Sequence, residues 1–155
     1  MIVKTTAVGL DELAHRSFDF FTRLSLTLPL GRRRHADDLK ELEFLTLAIL
    51  RQHRTMIVGD IQRILGILPA QMSRIIRSLE DHDSPLIACQ INPHDKRKVD
   101  VQLTDAGEQA LTDYIAPRVT ALAELLAKLT ADEREALAEL LDKLQPPPPG
   151  RSVTS

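Results

Sequence analysis

Between residues 58 and 103, the hydrophobic period of this 155-residue chain changes from that of an α-helix to that of a β-strand. A first short segment, from Val58 to Leu65, places its apolar residues on one helical face and is followed by Gly66, a residue typical of helix C-termini. Pro69 suits the first turn of a second helix, because its missing N–H would have no intrahelical partner there. The sequence therefore predicts two short helices joined by a tight turn and followed directly by β-structure.

The second of these helices has an apolar stripe at helical spacing, made of Met72, Ile75, Ile76 and Leu79. A stripe of this kind faces the core and leaves the other side of the helix for solvent or a ligand. The residues on that other side carry small, amide, hydroxyl and guanidinium groups, and they are Ala70, Gln71, Ser73, Arg74, Arg77 and Ser78. Glutamine can read adenine and arginine can read guanine or hold a phosphate, so this face suits the major groove of DNA.

The β-structure consists of residues 86–91 and 98–103, with the charged stretch Asn92-Pro93-His94-Asp95-Lys96-Arg97 between them. Polar and apolar residues alternate in the second run, which is the pattern of a half-buried strand, and Asn-Pro favours a turn. An arginine at the tip of such a hairpin suits a narrow minor groove of strongly negative potential. Lys96 and Lys98 are expected to contact phosphates, or else simply to be solvated.

Helices are also predicted before this region. Apolar residues recur at helical spacing over roughly residues 8–28, and a second, heavily buried helix is predicted from Leu39 to about His53. The arginines at 32–34 between them are expected either to be solvated or to touch phosphates beside the main DNA site.

After the hairpin, Thr104 can cap a long helix in which Pro117 should produce a kink or a break near Ala116. Thr130 and Glu133 form a capping box that opens a last helix to about residue 144. Residues 146–155 begin with four prolines and are expected to be disordered, because they have little to bury.

Three stretches carry a resemblance to a known family. IVGDIQRILG at 57–66, LGILPAQMSRIIRSLE at 65–80 and NPHDKRKVDVQLTDAG at 92–107 resemble the helix-turn-helix and wing of the MarR family of bacterial transcription regulators. The resemblance implies that Asp95 orients Arg97 and that Arg97 enters the minor groove. It also implies that Gln71, Ser73 and Arg74 face bases and phosphates. The chain departs from the family pattern at 62, 68, 89–90 and 83–85, where it has Gln, Leu, Cys-Gln and Asp-Ser-Pro.

The expected fold is therefore mainly α with a small β wing, a winged helix-turn-helix with N- and C-terminal dimerisation helices. We expect one domain over residues 1–145, with a winged core at about 39–103 and dimerisation helices at about 8–28 and 105–144. The expected function is that of a sequence-specific transcriptional repressor that binds a pseudo-palindromic operator in double-stranded DNA as a homodimer. The expected DNA-binding residues are Ala70, Gln71, Ser73, Arg74, Arg77, Asp95, Lys96, Arg97 and Lys98.

The charge distribution leaves an alternative open. The net charge is −2, whereas DNA-binding modules are usually basic. Residues 51–104 nevertheless hold eight Lys or Arg and six Asp or Glu, whereas residues 105–144 hold four and nine. A basic middle beside an acidic end agrees with a phosphate-binding face. The rival interpretation is a winged-helix module that binds protein and not DNA.

Other side chains allow two interpretations each. Phe18, Phe21 and Phe44 could line a pocket for a small aromatic effector, or could pack in the core or a dimer contact. Cys89 could be a redox switch, but an inert thiol is the simpler interpretation, since no second cysteine could resolve it. The run Asp81-His82-Asp83 suggests a metal only weakly.

No cofactor and no enzyme activity are expected, because P-loop, GxGxxG, HExxH and GxSxG motifs are missing. We also expect a cytoplasmic location.

Overall fold

The structure, a computed structural model, describes residues 8–27 and 39–146 of the chain. Six helices and three strands follow one another in these residues: α1 (Leu10–Thr27), α2 (Glu41–His53), β1 (Thr55–Ile57), α3 (Val58–Leu65), α4 (Pro69–Glu80), β2 (Ile87–Ile91), β3 (Val99–Leu103), α5 (Asp105–Leu126) and α6 (Ala131–Lys143). The predicted fold, mainly helical with a small β wing, is confirmed. The predictions for the arginines at 32–34 and for the tail beyond Pro146 lie outside the described residues.

The three strands form one antiparallel sheet in the order β1-β3-β2. Strand β3 is central, and its Val101 pairs with Met56 of β1 on one side and Cys89 of β2 on the other. Val101 is completely buried, so the sheet is anchored to the helical core at its middle strand. The β2–β3 hairpin and the residues between its strands, 92–98, form the wing.

The core lies where α2, α3 and α4 pack against β3 and the first half of α5. Its fully buried side chains are aliphatic for the most part: Leu47, Leu50, Ile61, Met72, Leu79, Ile87, Val101 and Leu111. Burial of such side chains contributes about 1.5–3 kcal/mol each, so these contacts supply much of the stability of the winged core. The inward stripe of α4 is part of this core, as the sequence predicts.

The turn between α3 and α4 forms as predicted. Gly66 ends α3 in the left-handed conformation, with φ of +63°, which a residue without a Cβ adopts at little cost. Pro69 is in the first turn of α4. Residues 66–68 are thus enough to connect the two helices, and α4 packs against α3.

The α5 helix begins against the base of the wing. The Thr104 side chain accepts a hydrogen bond from the Gly107 N–H at 3.0 Å, and its own hydroxyl donates to the Pro85 carbonyl at 2.7 Å. A Cβ on Gly107 would meet the Leu86 carbonyl oxygen and would lie 2.7 Å from Leu103 Cδ1. Glycine is therefore required here by the close approach of the first turn of α5 to Leu86, the residue before β2.

Two helix predictions need correction. Helix α2 begins at Glu41 and not at Leu39, although Leu39 is itself buried. The α5 helix runs through Pro117 without ending, so of the two outcomes predicted near Ala116, a kink or a break, the break does not occur. Proline removes the donor for the Asp113 carbonyl, but Asp113 is exposed and water can take that place. The loss of a single bond is too small to end a helix of 22 residues.

The terminal helices contribute little to this core. Neither α1 nor α6 has a buried residue. Large apolar side chains lie exposed on both helices or directly after them, among them Leu10, Phe18, Phe21, Leu26, Leu141 and Leu144. No helix in the described part of the chain is long and apolar enough to cross a membrane.

We expect Gly107→Ala to destabilise the protein by about 1–3 kcal/mol, because the added methyl group overlaps the Leu86 carbonyl and the Leu103 side chain. Urea unfolding at fixed protein concentration measures this change. Gly59→Ala in α3 is the matched control, since nothing lies within 4 Å of its Cβ position. The control should be neutral or stabilising by about 0.5–1 kcal/mol. Equal stability of the two variants would contradict the close approach.

Candidate nucleic-acid interface

The outer face of α4 consists of Ala70, Gln71, Ser73, Arg74 and Arg77, and all five are exposed. They face outward because Met72, Ile75 and Leu79, at the complementary positions of the helix, are buried. The Ser73 hydroxyl donates to the Pro69 carbonyl at 3.0 Å, so it bonds to its own helix while remaining at the surface.

The α4 helix begins with no side-chain cap at Leu68, which is 73% exposed. Pro69 has no N–H, and the Gln71 N–H, one of the two from which a capping side chain would accept, donates instead to the Leu68 carbonyl at 3.0 Å. The Ala70 N–H is the other one.

Ser78, which the helical pattern placed on the outward side of α4, instead faces α2. Its hydroxyl donates to Glu43 Oε1 at 2.8 Å, while the Lys40 N–H donates to Glu43 Oε2 at 2.8 Å. Glu43 is only 4% exposed, and a buried carboxylate requires partners of this kind. The outward placement of Ser78 is therefore wrong. Its hydrogen bond ties the second half of α4 to the start of α2.

At the wing tip, Asp95 holds Arg97. The Arg97 N–H and Nε both donate to Asp95 Oδ1, at 3.1 and 3.2 Å, and Lys98 Nζ lies 3.7 Å from Asp95 Oδ2. The Arg97 backbone N–H, its guanidinium and the Lys98 ammonium lower the pKa of Asp95. The Arg97 side chain is 91% exposed and Lys96 is also exposed. The structure thus places Asp95 against Arg97, as the resemblance implies.

A groove of about 690 Å³ separates the outer face of α4 from the wing. Four basic side chains line it, those of Arg63, Arg77, Arg97 and Lys98, together with the carboxylates of Asp60 and Glu80. Arg63 was not among the residues predicted from the sequence. The helical pattern predicts that Arg63 lies outside the apolar stripe of α3. It does not predict that the wing lies on the other side of the groove from this residue. Arg63 also forms a salt bridge with Asp60 at 3.0 Å.

The wing has a polar base that the sequence pattern did not reveal either. Asp100 of β3 is 9% exposed, and Asn92 Nδ2 donates to both of its carboxylate oxygens, at 2.9 and 3.1 Å. In the sequence, Asn92 indicates only a turn, and Asp100 is one polar position of an alternating strand. No local signal tells that the two side chains meet.

The three phenylalanines predicted for an effector pocket lie in two different environments. Phe18 and Phe21 are exposed on α1, whereas Phe44 of α2 stacks on Tyr114 of α5 with ring centroids 4.4 Å apart. The Arg118 guanidinium also lies over the Tyr114 ring, 3.3 Å from its centroid.

Cys89 lies half-buried in β2, beside Glu80. Burial, the hydrogen bond to Glu80 and the charge of Glu80 raise the pKa of the thiol to about 12. A thiol at neutral pH is a weak nucleophile, so this environment favours the inert interpretation. Among the described residues, no group of three or more His, Cys, Asp or Glu side chains is arranged to hold a metal ion, and this includes residues 81–83.

Comparisons with known proteins agree with this architecture. The MarR family model matches residues 39–99. The HTH-type transcriptional repressor NicR of Pseudomonas putida is 32% identical over 107 residues, which are 68% of this chain and 66% of NicR. The HTH-type transcriptional repressor MdtR of Bacillus subtilis is 29% identical over 102 residues, 66% of this chain and 64% of MdtR. The chain thus spans just under two thirds of the length of these two relatives.

Solved structures extend the likeness beyond the winged core. Wild-type MarR of E. coli in the apo form superposes with a TM-score of 0.68 at 26% identity, over 90% of this chain and 98% of that one. The YusO protein of Bacillus subtilis superposes with a TM-score of 0.67 at 23% identity, over 88% and 97%, and shows the fold alone. The family model falls on the helix-turn-helix and wing, and the structures also include the terminal helices. This chain belongs to the MarR family of winged helix-turn-helix proteins.

Proposed function

We propose that this protein is a transcriptional repressor that binds an operator in double-stranded DNA. The observation that carries the proposal is the placement of two exposed basic elements, the outer face of α4 and the wing tip, on either side of one groove. Both are fixed to the same buried core, so their separation is set by the fold. The curated relatives are named HTH-type transcriptional repressors, which favours DNA over a protein partner for this surface.

In this proposal α4 lies in the major groove. Gln71 and Arg74 read base edges, since their amide and guanidinium groups can form two hydrogen bonds with adenine and guanine respectively. Ala70 and Ser73 are small enough to allow the helix close to the bases. Arg77 lies one turn further along and binds a phosphate.

The wing tip then contacts the adjacent minor groove. Arg97, held by Asp95, inserts its guanidinium there, where the negative potential is strongest. Lys96 and Lys98 bind phosphates beside it. Arg63, across the groove from the wing, adds a phosphate contact that the sequence pattern did not indicate.

We further propose that two copies of the chain form the functional unit. Helices in proteins owe most of their stability to the packing of an apolar face, and no residue of α1 is buried in the single chain. A second copy would cover the exposed apolar residues of α1, α6 and the second half of α5, among them Phe18, Phe21, Val119 and Leu141. In this arrangement residues 39–103 bind DNA and the terminal helices hold the dimer. Two-fold symmetry then places the two α4 helices about 34 Å apart on a pseudo-palindromic operator.

A small aromatic molecule is proposed as an effector that changes DNA affinity in the cytoplasm. The support is the aromatic stack of Phe44 on Tyr114 and the two exposed rings of Phe18 and Phe21. BpsR of Bordetella bronchiseptica, whose structure superposes with a TM-score of 0.54 at 24% identity, has its DNA binding regulated by 6-hydroxynicotinic acid.

DNA binding is tested by retention on duplex DNA as salt is raised, because neutralised phosphates release counterions and make the affinity steeply salt-dependent. We expect the wild-type chain to bind at low salt and to prefer one duplex selected from a random pool. Retention that does not change with salt, or no retention, would favour the protein-binding interpretation.

We expect Arg97→Ala to weaken operator binding by about 1–3 kcal/mol and to lower the salt slope by about one unit, since one cation that displaces counterions from the DNA is lost. Fluorescence anisotropy titrations at several salt concentrations measure both quantities. Lys128→Ala, at an exposed position after α5, is the control and should bind like wild type. If Arg97→Ala binds like its control, the wing has no part in recognition.

We expect Phe21→Ser to convert the dimer into a monomer, because this ring is 63% exposed in the single chain and is proposed to be covered by the second copy. Size-exclusion chromatography with light scattering gives the mass directly. Arg23→Ser changes another exposed residue of the same helix and should leave the dimer intact. A wild-type chain that is monomeric at micromolar concentration would contradict the dimer.

A further inference from the structure

Asp100 is an unusual residue for the middle of a sheet. It lies on the central strand β3, opposite Ile57 of β1 and Gln90 of β2, and only 9% of its surface is exposed. No salt bridge among the described residues involves it. A carboxylate removed from water without a cation must be hydrogen-bonded, and Asn92 Nδ2 supplies bonds of 2.9 and 3.1 Å to its two oxygens. The strand thus carries a buried carboxyl group whose described partner is a neutral amide.

The other end of the Asn92 amide organises the turn. Asn92 Oδ1 accepts hydrogen bonds from the backbone N–H groups of His94 and Asp95, each at 2.9 Å. The Asn92 N–H donates to the Lys98 carbonyl, also at 2.9 Å, and the Lys98 N–H donates to the Asp95 carbonyl at 2.9 Å. Asn92 therefore connects the strand, through its side chain, to the residues of the tip.

The connection continues to the exposed arginine. Asp95, whose backbone N–H bonds to Asn92, uses its own carboxylate oxygen Oδ1 to accept from the Arg97 N–H and Nε. The sequence of contacts thus runs Asp100, Asn92, Asp95, Arg97, from a buried position in the sheet to a side chain that is 91% exposed. Each link is a hydrogen bond of 2.9–3.2 Å.

We propose that Asn92 and Asp100 are positioning residues for DNA binding, which fix the direction of Arg97 from inside the wing; this inference rests on the proposed function. A solvent-exposed arginine at a hairpin tip would sample many orientations, and DNA binding would then have to order it at a cost in entropy. The Asn92–Asp100 pair sets the backbone of the tip beforehand, so that Asp95 presents Arg97 in one direction. Neither residue touches DNA in this proposal.

A double-mutant cycle tests whether Asn92 acts through Arg97. Anisotropy titrations compare wild type, Asn92→Ala, Arg97→Ala and the double variant on a duplex that wild type has selected from a random pool. We expect Asn92→Ala to weaken binding at least about fivefold in the wild-type background and less than about twofold when Arg97 is already alanine. The control is Gln102→Ala, an exposed position of β3, the strand that contains Asp100, and it should not change the affinity.

Exchanging the two residues separates positioning from loss of folding. Asn92→Asp places a second carboxylate against Asp100, and we expect it to weaken binding at least as much as Asn92→Ala. Adding Asp100→Asn restores one amide and one carboxylate, with the carboxylate at position 92 still able to accept from the His94 and Asp95 N–H groups. The exchanged pair should recover the affinity to within about threefold of wild type. Melting temperatures of all variants are measured in parallel.

The outcomes distinguish the inference from the function on which it rests. If wild type binds no DNA, both fail. If Arg97→Ala weakens binding but Asn92→Ala does not, only the positioning role fails. Independent losses from Asn92→Ala and Arg97→Ala, together with a fall in affinity that follows the melting temperature, would show that Asn92 merely stabilises the hairpin.

Discussion

The burial of one side of α4 determines the rest of the candidate interface. Met72, Ile75 and Leu79 are inserted into the core beside Leu47 and Leu50, which fixes the rotation of the helix about its own axis. The hydrogen bond from Ser78 to Glu43 holds the same rotation near the C-terminal end of the helix. Because side chains of a helix project at fixed angles, the outer face is then set without any further contact. Packing inside thus decides which groups face outward in the proposed DNA complex.

Much of this could be predicted from the sequence, since local signals and the fold agree. Four local signals each predict one element, and the structure contains each of these elements. They are the apolar stripe of α4, Gly66 at the end of α3, Pro69 at the start of α4 and the alternating residues of β3. The Thr104 cap and the Thr130 capping box are also present. Hydrophobic periodicity predicts the helices and strands because burial of one face requires it. Capping residues predict where helices begin because the unpaired N–H groups of the first turn need acceptors.

The predictions that failed concern contacts between distant segments. The position of Ser78 in the pattern says only that it is outside the main stripe, and the approach of Glu43, 35 residues earlier, turns it inward. Pro117 is a local signal for a kink or a break, but the helix continues through it, because one lost hydrogen bond is small beside the rest of the helix. The positions of Arg63 beside the groove and of Asn92 against Asp100 depend on how the chain folds back on itself. Periodicity describes one element at a time and cannot contain this information.

The close approach at Gly107 fixes the start of α5 to the base of the wing. The first turn of α5 rests on Leu86, the residue before β2. Thr104 joins the two segments, because its hydroxyl donates to the Pro85 carbonyl and its N–H to the Leu86 carbonyl, while its side chain caps the helix. The far half of that helix, with Val119 and Leu122 exposed, is the part available to a second copy. One continuous helix of 22 residues therefore connects the base of the wing to the part that a second copy is proposed to cover. In such a dimer, the contact between the two copies and the wing of each copy are joined through α5.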